Sequence, residues 1–271
     1  MKTNELFRWG ASLSAALVLA LSASGGPVSL NGKWELSFWP QSGEAVLSPE
    51  GLEKIEATTI PATVPGNVEI DMEAAGLIAD PRVGATVNDL RKYEGYQWCY
   101  ARRFSAPELR AGQRAELAFG GIDCLGEVWV NGVHVGSSDN MFIEQRYDVT
   151  DCLKAGDDNL VQVILRPVVL ESQKYLLGTF SMGNFASEES VYIRKAPHMY
   201  GWDIMPRLVS AGLWRDVALE IVEPVRIADV NWVTTNVDTE TGNARLFVDF
   251  QTRMPFDRFD KARMRFTLSR N

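Results

Sequence analysis

The stretch from Arg194 to Pro206 (RKAPHMYGWDIMP) sets a tryptophan beside an aspartate, Trp202-Asp203, between Gly201 and Pro206. A flat indole can cover the C–H face of a sugar ring while a fixed carboxylate accepts hydrogen bonds from its hydroxyls. The pair therefore suits sugar recognition. Glycine and proline mark the segment as a loop, and Ala211 to Val217 (AGLWRDV) leads it into a strand. Read alone, the same residues also fit a pinned loop, with Trp202 filling the core edge and Asp203 accepting backbone N–H groups in a turn. Arg194 and Lys195 are candidates to orient Asp203 or to pair with other acids. An exposed ion pair worth very little fits them equally.

Other chemistries find less support. The two histidines are His134, a surface residue just after a hairpin turn, and His198, which lies near the loop without an assigned role. With no CxxC and no His/Cys spacing, neither a metal nor a cofactor is expected. Cys99, Cys124 and Cys152 leave at least one thiol unpaired, and the apolar surroundings of Cys99 and Cys124 favour buried free thiols. A net charge of −8, from 27 basic and 35 acidic side chains, argues against a nucleic-acid partner. Hydrophobic content of 46% and charged content of 23% are those of a globular chain.

The elements that must position the loop are short strands. Gly32 to Phe38 alternates apolar and polar residues, and Tyr96 to Phe104 is strand-like, with Trp98, Tyr100, Arg102 and Phe104 on one face. Trp98, Tyr100 and Trp129 at strand spacing read as core. Ala57–Pro65, Arg114–Phe119, Tyr147–Val149, Leu160–Leu165 and Trp214–Val222 continue the series, while Asp139 and Asp148 read as turn residues. Glu127 to Val135 places Asn131-Gly132 between two alternating runs, the signature of a two-residue hairpin. Asn67 as N-cap and Gly76 as stop predict one short helix. A helical turn is expected at Asp151–Ala155 and a short helix at Val169–Leu177, inside an irregular region from Val168 to Lys195.

Lys2 and Arg8 ahead of the apolar run Ala11 to Ala23, with small residues after it, read as a cleaved export signal over residues 1–25. The run is short for a membrane span, and no other segment is a candidate. Export to the periplasm or exterior is the expectation. Glu223-Pro224 reads as a linker. Beyond it, Val225–Thr235, Ala244–Thr252 and Ala262–Leu268 read as three strands, too few for a sandwich, with Arg253, Arg258, Lys261, Arg263 and Arg265 on a solvated face. The expected fold is all-β: a sandwich over residues 26–222, then the start of a second β domain over 223–271.

A set of fragments in order carries a resemblance: LNGKW (Leu30–Trp34), VPGNV (Val64–Val68), AGLIADP (Ala75–Pro81), WCYARRF (Trp98–Phe104), GID (Gly121–Asp123), VWVNG (Val128–Gly132), DNMF (Asp139–Phe142), YDVT (Tyr147–Thr150), and Arg194 to Leu219. Together they resemble glycoside hydrolase family 2, and within it the β-mannosidase-like members, over nearly all of residues 30–222. The resemblance implies a jelly-roll, galactose-binding-like domain, then an immunoglobulin-like domain that is incomplete here, then a catalytic (β/α)₈ barrel absent from this chain. Two glutamates in that barrel would act about 5–5.5 Å apart as nucleophile and acid/base, so no catalytic residue is assigned here. It further implies that Trp202 and Asp203 shape the sugar pocket, although Ile204 and Met205 replace the family's second Trp and its Gly. The implied partner is an oligosaccharide or glycan with a terminal β-linked sugar, plausibly mannose. The alternative function is a stand-alone, non-catalytic carbohydrate-binding module.

Overall fold

The computed structural model describes residues 26–175 and 189–254. The chain divides into two compact units with the boundary between Glu223 and Pro224.

In the first unit the strands are, in order, β1 (Val28–Ser29), β2 (Gly32–Pro40), β3 (Thr58–Val64), β4 (Tyr96–Ala106), β5 (Arg114–Phe119), β6 (Ile122–Asp123), β7 (Gly126–Val130), β8 (Val133–Ser138), β9 (Gln145–Asp148), β10 (Gly156–Leu165), β11 (Gly212–Leu213) and β12 (Val217–Val222). A six-stranded sheet runs β3-β2-β4-β10-β7-β8 and a four-stranded sheet runs β1-β12-β5-β9; β6 and β11 make a small third ladder. Neighbours such as β4 and β10 are distant in sequence, so the chain crosses between sheets as a jelly roll does. Alternation explains the core: Trp34, Leu36, Phe38, Tyr100, Val161 and Val163 from the larger sheet meet Leu117, Phe119, Tyr147 and Leu219 from the smaller.

Trp98, Tyr100 and Phe104 are buried as the pattern predicts. Arg102, on the same face, turns its guanidinium to the carbonyls of Leu30, Asn31 and Lys33. Trp129 is half-buried and donates to the Leu47 carbonyl. The hairpin forms as read: Asn131 and Gly132 have φ of 52° and 78°, which the tight turn demands. The Asn131 side chain also accepts from Leu160 N and donates to the Cys152 carbonyl. Asp148, read as a turn residue, is instead the last residue of β9, opposite Glu116, and its carboxylate accepts from Thr150 in the turn that follows.

The helices are short: α1 (Pro49–Leu52), α2 (Val68–Ala74), α3 (Val168–Ser172) and α4 (Glu189–Tyr192). Asn67 caps α2, its Oδ1 accepting from Ile70 N at 3.1 Å, and Gly76 follows with φ of 71°. The helical turn expected at 151–155 is a 3₁₀ turn over Thr150–Cys152. α3 ends sooner than the expected Leu177, which lies outside the described residues. A 3₁₀ run over Thr86–Tyr93, not foreseen in the sequence, buries Val87 and Leu90. The strand expected from Trp214 begins at Val217 instead. Trp214 donates to the Met141 carbonyl and carries the Arg215 guanidinium 4.0 Å above its ring, so this stretch serves side-chain contacts rather than the ladder.

In the second unit β13 (Arg226–Asp238) and β14 (Asn243–Arg253) form one antiparallel hairpin. Cross-strand pairing places Val230 opposite Phe250 and Trp232 opposite Val248 on one face. The predicted strand 262–268 and the export segment 1–25 lie outside the described residues.

Candidate functional site

The Trp202 loop is a stiff neck with an exposed tip. A 3₁₀ turn over Pro197–Tyr200 enters it, and Gly201, at φ of 97°, turns the chain outward. Trp202 N donates to the Met205 carbonyl at 2.9 Å and Met205 N returns to Trp202 O at 3.1 Å, closing a four-residue turn. Leu208 N donates to Met199 O at 2.9 Å and closes the neck beneath it. At the tip Trp202 is 56% exposed and Ile204 82%. Asp203 is exposed, and among the described residues nothing bonds its carboxylate. An unsatisfied carboxylate beside a half-exposed indole is available to a polyhydroxylated ligand. The bland reading of Trp202 as a core-edge plug does not hold in this structure.

Buried charge holds the neck. Lys195 is buried to 1% and donates to both Asp123 carboxylate oxygens and to the Ser210 carbonyl. Ser210 Oγ in turn donates to Glu69 of α2 at 2.6 Å. Beyond Ser210, Val68 N donates to Ala211 O and Gly66 N to Leu213 O, both at 2.9 Å, so the chain leaving the loop is stitched to the start of α2. Burial raises the carboxyl pKa values of Glu69 and Asp123; Lys195 opposes this at both, and Ser210 also opposes it at Glu69.

Lys195 therefore does not orient Asp203, and the exposed-pair reading fails for it because a buried acid lies within its reach. Arg194 is exposed, and its carbonyl accepts from Met141 N. His134 sits at the surface beside Glu127, as expected, and His198 is exposed. Cys99 and Cys124 are free and buried, with thiol pKa values pushed up to about 12 by burial; Cys152 is free and half-buried. Among the described residues no group of three or more His, Cys, Asp or Glu is placed to hold a metal. Nor is any of their helices long and apolar enough to cross a membrane.

The reading of Lys195 as pairing with another acid holds, although the sequence did not name Asp123 as that acid. Sequence reasoning missed Arg207, which pairs with Glu94 and Glu189.

Comparisons with known proteins bear on the family and the fold. A family model described as the glycosyl hydrolase 2 galactose-binding domain-like domain matches residues 45–215. Beta-mannosidase B of Aspergillus clavatus is 32% identical over 222 residues, which is 80% of this chain and 26% of that protein. Beta-mannosidase B of Thermothelomyces thermophilus is 36% identical over 189 residues, 68% of this chain and 22% of the relative. A crystal structure of a β-D-mannosidase from Dictyoglomus thermophilum superposes with a TM-score of 0.69 at 26% identity, covering 85% of this chain and 26% of that one. The chain thus spans about a quarter of the length of these relatives.

Proposed function

The chain belongs to glycosyl hydrolase family 2, and from that premise we propose that it is the amino-terminal sugar-recognising part of an exported β-mannosidase-like glycosidase. The parent reaction is retaining hydrolysis of terminal β-D-mannosyl or related β-glycosyl residues on an oligosaccharide or glycan. A barrel outside these residues supplies the two catalytic carboxylates. The supporting observation is the Trp202–Met205 turn, which carries an indole and an unpaired carboxylate outward on a braced neck. In this reading Trp202 lies against the terminal sugar and Asp203 accepts from its hydroxyls. Ile204 and Met205 make the tip apolar where the family has Trp and Gly, which shapes the choice of sugar. Residues 223–271 begin the immunoglobulin-like domain, of which β13 and β14 are a hairpin. Residues 1–25 are the export signal; amino-terminal sequencing of the exported product should begin near Gly26.

The test is Asp203→Ala in the enzyme that carries this chain. Losing one charge-assisted hydrogen bond costs about 1.5–3 kcal/mol, so kcat/KM for p-nitrophenyl β-mannoside should fall by roughly ten- to a hundredfold. An unchanged kcat/KM would remove Asp203 from substrate recognition.

A further inference from the structure

Arg207 follows the loop's proline and ties three separate segments together. Its Nε and Nη2 donate to the two oxygens of Glu94 at 2.7 and 2.8 Å, a bidentate pair. Its Nη1 donates to Glu189 Oε2, the first residue of α4, at 2.9 Å. The same nitrogen lies 3.5 Å from the Tyr200 carbonyl, and the guanidinium sits 5.6 Å from the Tyr200 ring centroid. All three charged side chains are mostly buried, at 13% for Arg207, 16% for Glu94 and 26% for Glu189. The two carboxylates hold the guanidinium pKa above its ordinary value.

A Cβ on Gly201 would stand 3.3 Å from that of Arg207 and 3.6 Å from its Cα and N, so the two residues run close together at the base of the turn. The turn from Trp202 to Met205 is closed by its own two backbone bonds and projects beyond them. A planar fork bound to both oxygens of one carboxylate fixes orientation as well as distance, which a point charge does not.

We infer that Arg207 is a positioning residue: clamped by Glu94 and Glu189, it sets the direction in which Trp202 and Asp203 are presented to the sugar. This rests on the function proposed above, but the clamp is measured separately from sugar binding. Arg207→Lys keeps the charge and loses the fork. Glu94→Gln keeps the arginine and loses the bidentate pair, and it remains informative if the lysine variant folds poorly.

The experiment is ¹⁹F NMR of the full chain labelled with 5-fluorotryptophan, the Trp202 resonance being assigned from Trp202→Phe, with thermal unfolding of the same samples. In both variants the Trp202 resonance should shift or broaden, while those of Trp34 and Trp39 in the sandwich stay in place. A Trp202 resonance that does not move, with or without a lowered melting temperature, overturns the proposal. So does one that moves only in company with the core tryptophans. Methyl β-mannoside titrated into the same samples separates the two readings. A Trp202 signal that answers to Arg207 but never to the sugar retains the clamp and counts against recognition by this chain. A signal that answers to the sugar but not to Arg207 does the reverse.

Discussion

The Lys195 ammonium is buried against the Asp123 carboxylate, with the Ser210 carbonyl as its third partner. Asp123 belongs to β6, which pairs with β11, and Lys195 lies between these two strands in sequence; through its bond to the Ser210 carbonyl, Lys195 joins the segment entering the Trp202 loop to the segment leaving it. Burial of two charges costs several kcal/mol in desolvation, which the short contact and the extra carbonyl offset. Such a pair adds little net stability while intact. It is damaging when halved.

Lys195→Met should therefore cost about 3–5 kcal/mol, since it leaves the Asp123 carboxyl buried without its cation. Adding Asp123→Asn removes the stranded carboxyl and should recover much of that loss. Urea unfolding of both single variants and the double variant measures the coupling. A cost below about 1 kcal/mol for Lys195→Met, or simple additivity in the double variant, would show that the pair does not act as a unit.

Asp71 of α2 gives a pH dependence of known sign. Its Oδ1 accepts from Thr63 N at 2.9 Å, but the residue is only 4% exposed, and burial raises its pKa from 3.8 to about 6. The folded state binds the proton more tightly than the unfolded chain does. Asp71 thus contributes stability below pH 4 that is lost as the pH rises through about 6. Asp71→Asn removes that dependence. Relative to the unchanged protein, the variant should gain up to about 3 kcal/mol between pH 4 and 7. The slope that Glu69 contributes is common to both proteins and cancels in the difference. Thermal unfolding across that range checks it, and a flat difference would mean the Asp71 carboxyl titrates normally.

What could be read in the sequence was whatever is local. The alternation in Gly32–Phe38, the strand character of Tyr96–Phe104, the Asn131-Gly132 turn and the Asn67 cap each fix structure within a few residues, and each formed as read. That the segment is a loop was equally legible from Gly201 and Pro206, but its exposure was not, nor was its support. Arg207 and Glu94 are 113 residues apart, and Lys195 and Asp123 are 72 apart. Residue type says that an arginine seeks carboxylates, but only the strand order brings these particular acids to the neck. Lys195 illustrates the difficulty: beside Arg194 it has the look of a surface cation, and its burial follows from β6 carrying Asp123 against β11.

Gly201 tests whether the neck directs the tip. Its φ of 97° with ψ of 141° is a conformation that an L side chain reaches only with strain. An added Cβ would also stand 3.3 Å from the Arg207 Cβ. Gly201→Ala should therefore cost about 1–3 kcal/mol locally. The chain can relieve that strain by rotating the Trp202–Met205 turn, because the tip beyond Gly201 is held by only two backbone bonds. The strain should accordingly appear as loosening of the loop rather than of the sandwich. Amide exchange at Trp202, Met205 and Leu208 should accelerate, while Val161 and Val163 in the centre of the larger sheet keep their protection. Faster exchange across β10 as well would show that the neck is continuous with the core and has no independent stiffness. Unchanged exchange at all five amides would show that Gly201 is dispensable and that the tip's direction is fixed from Arg207 alone.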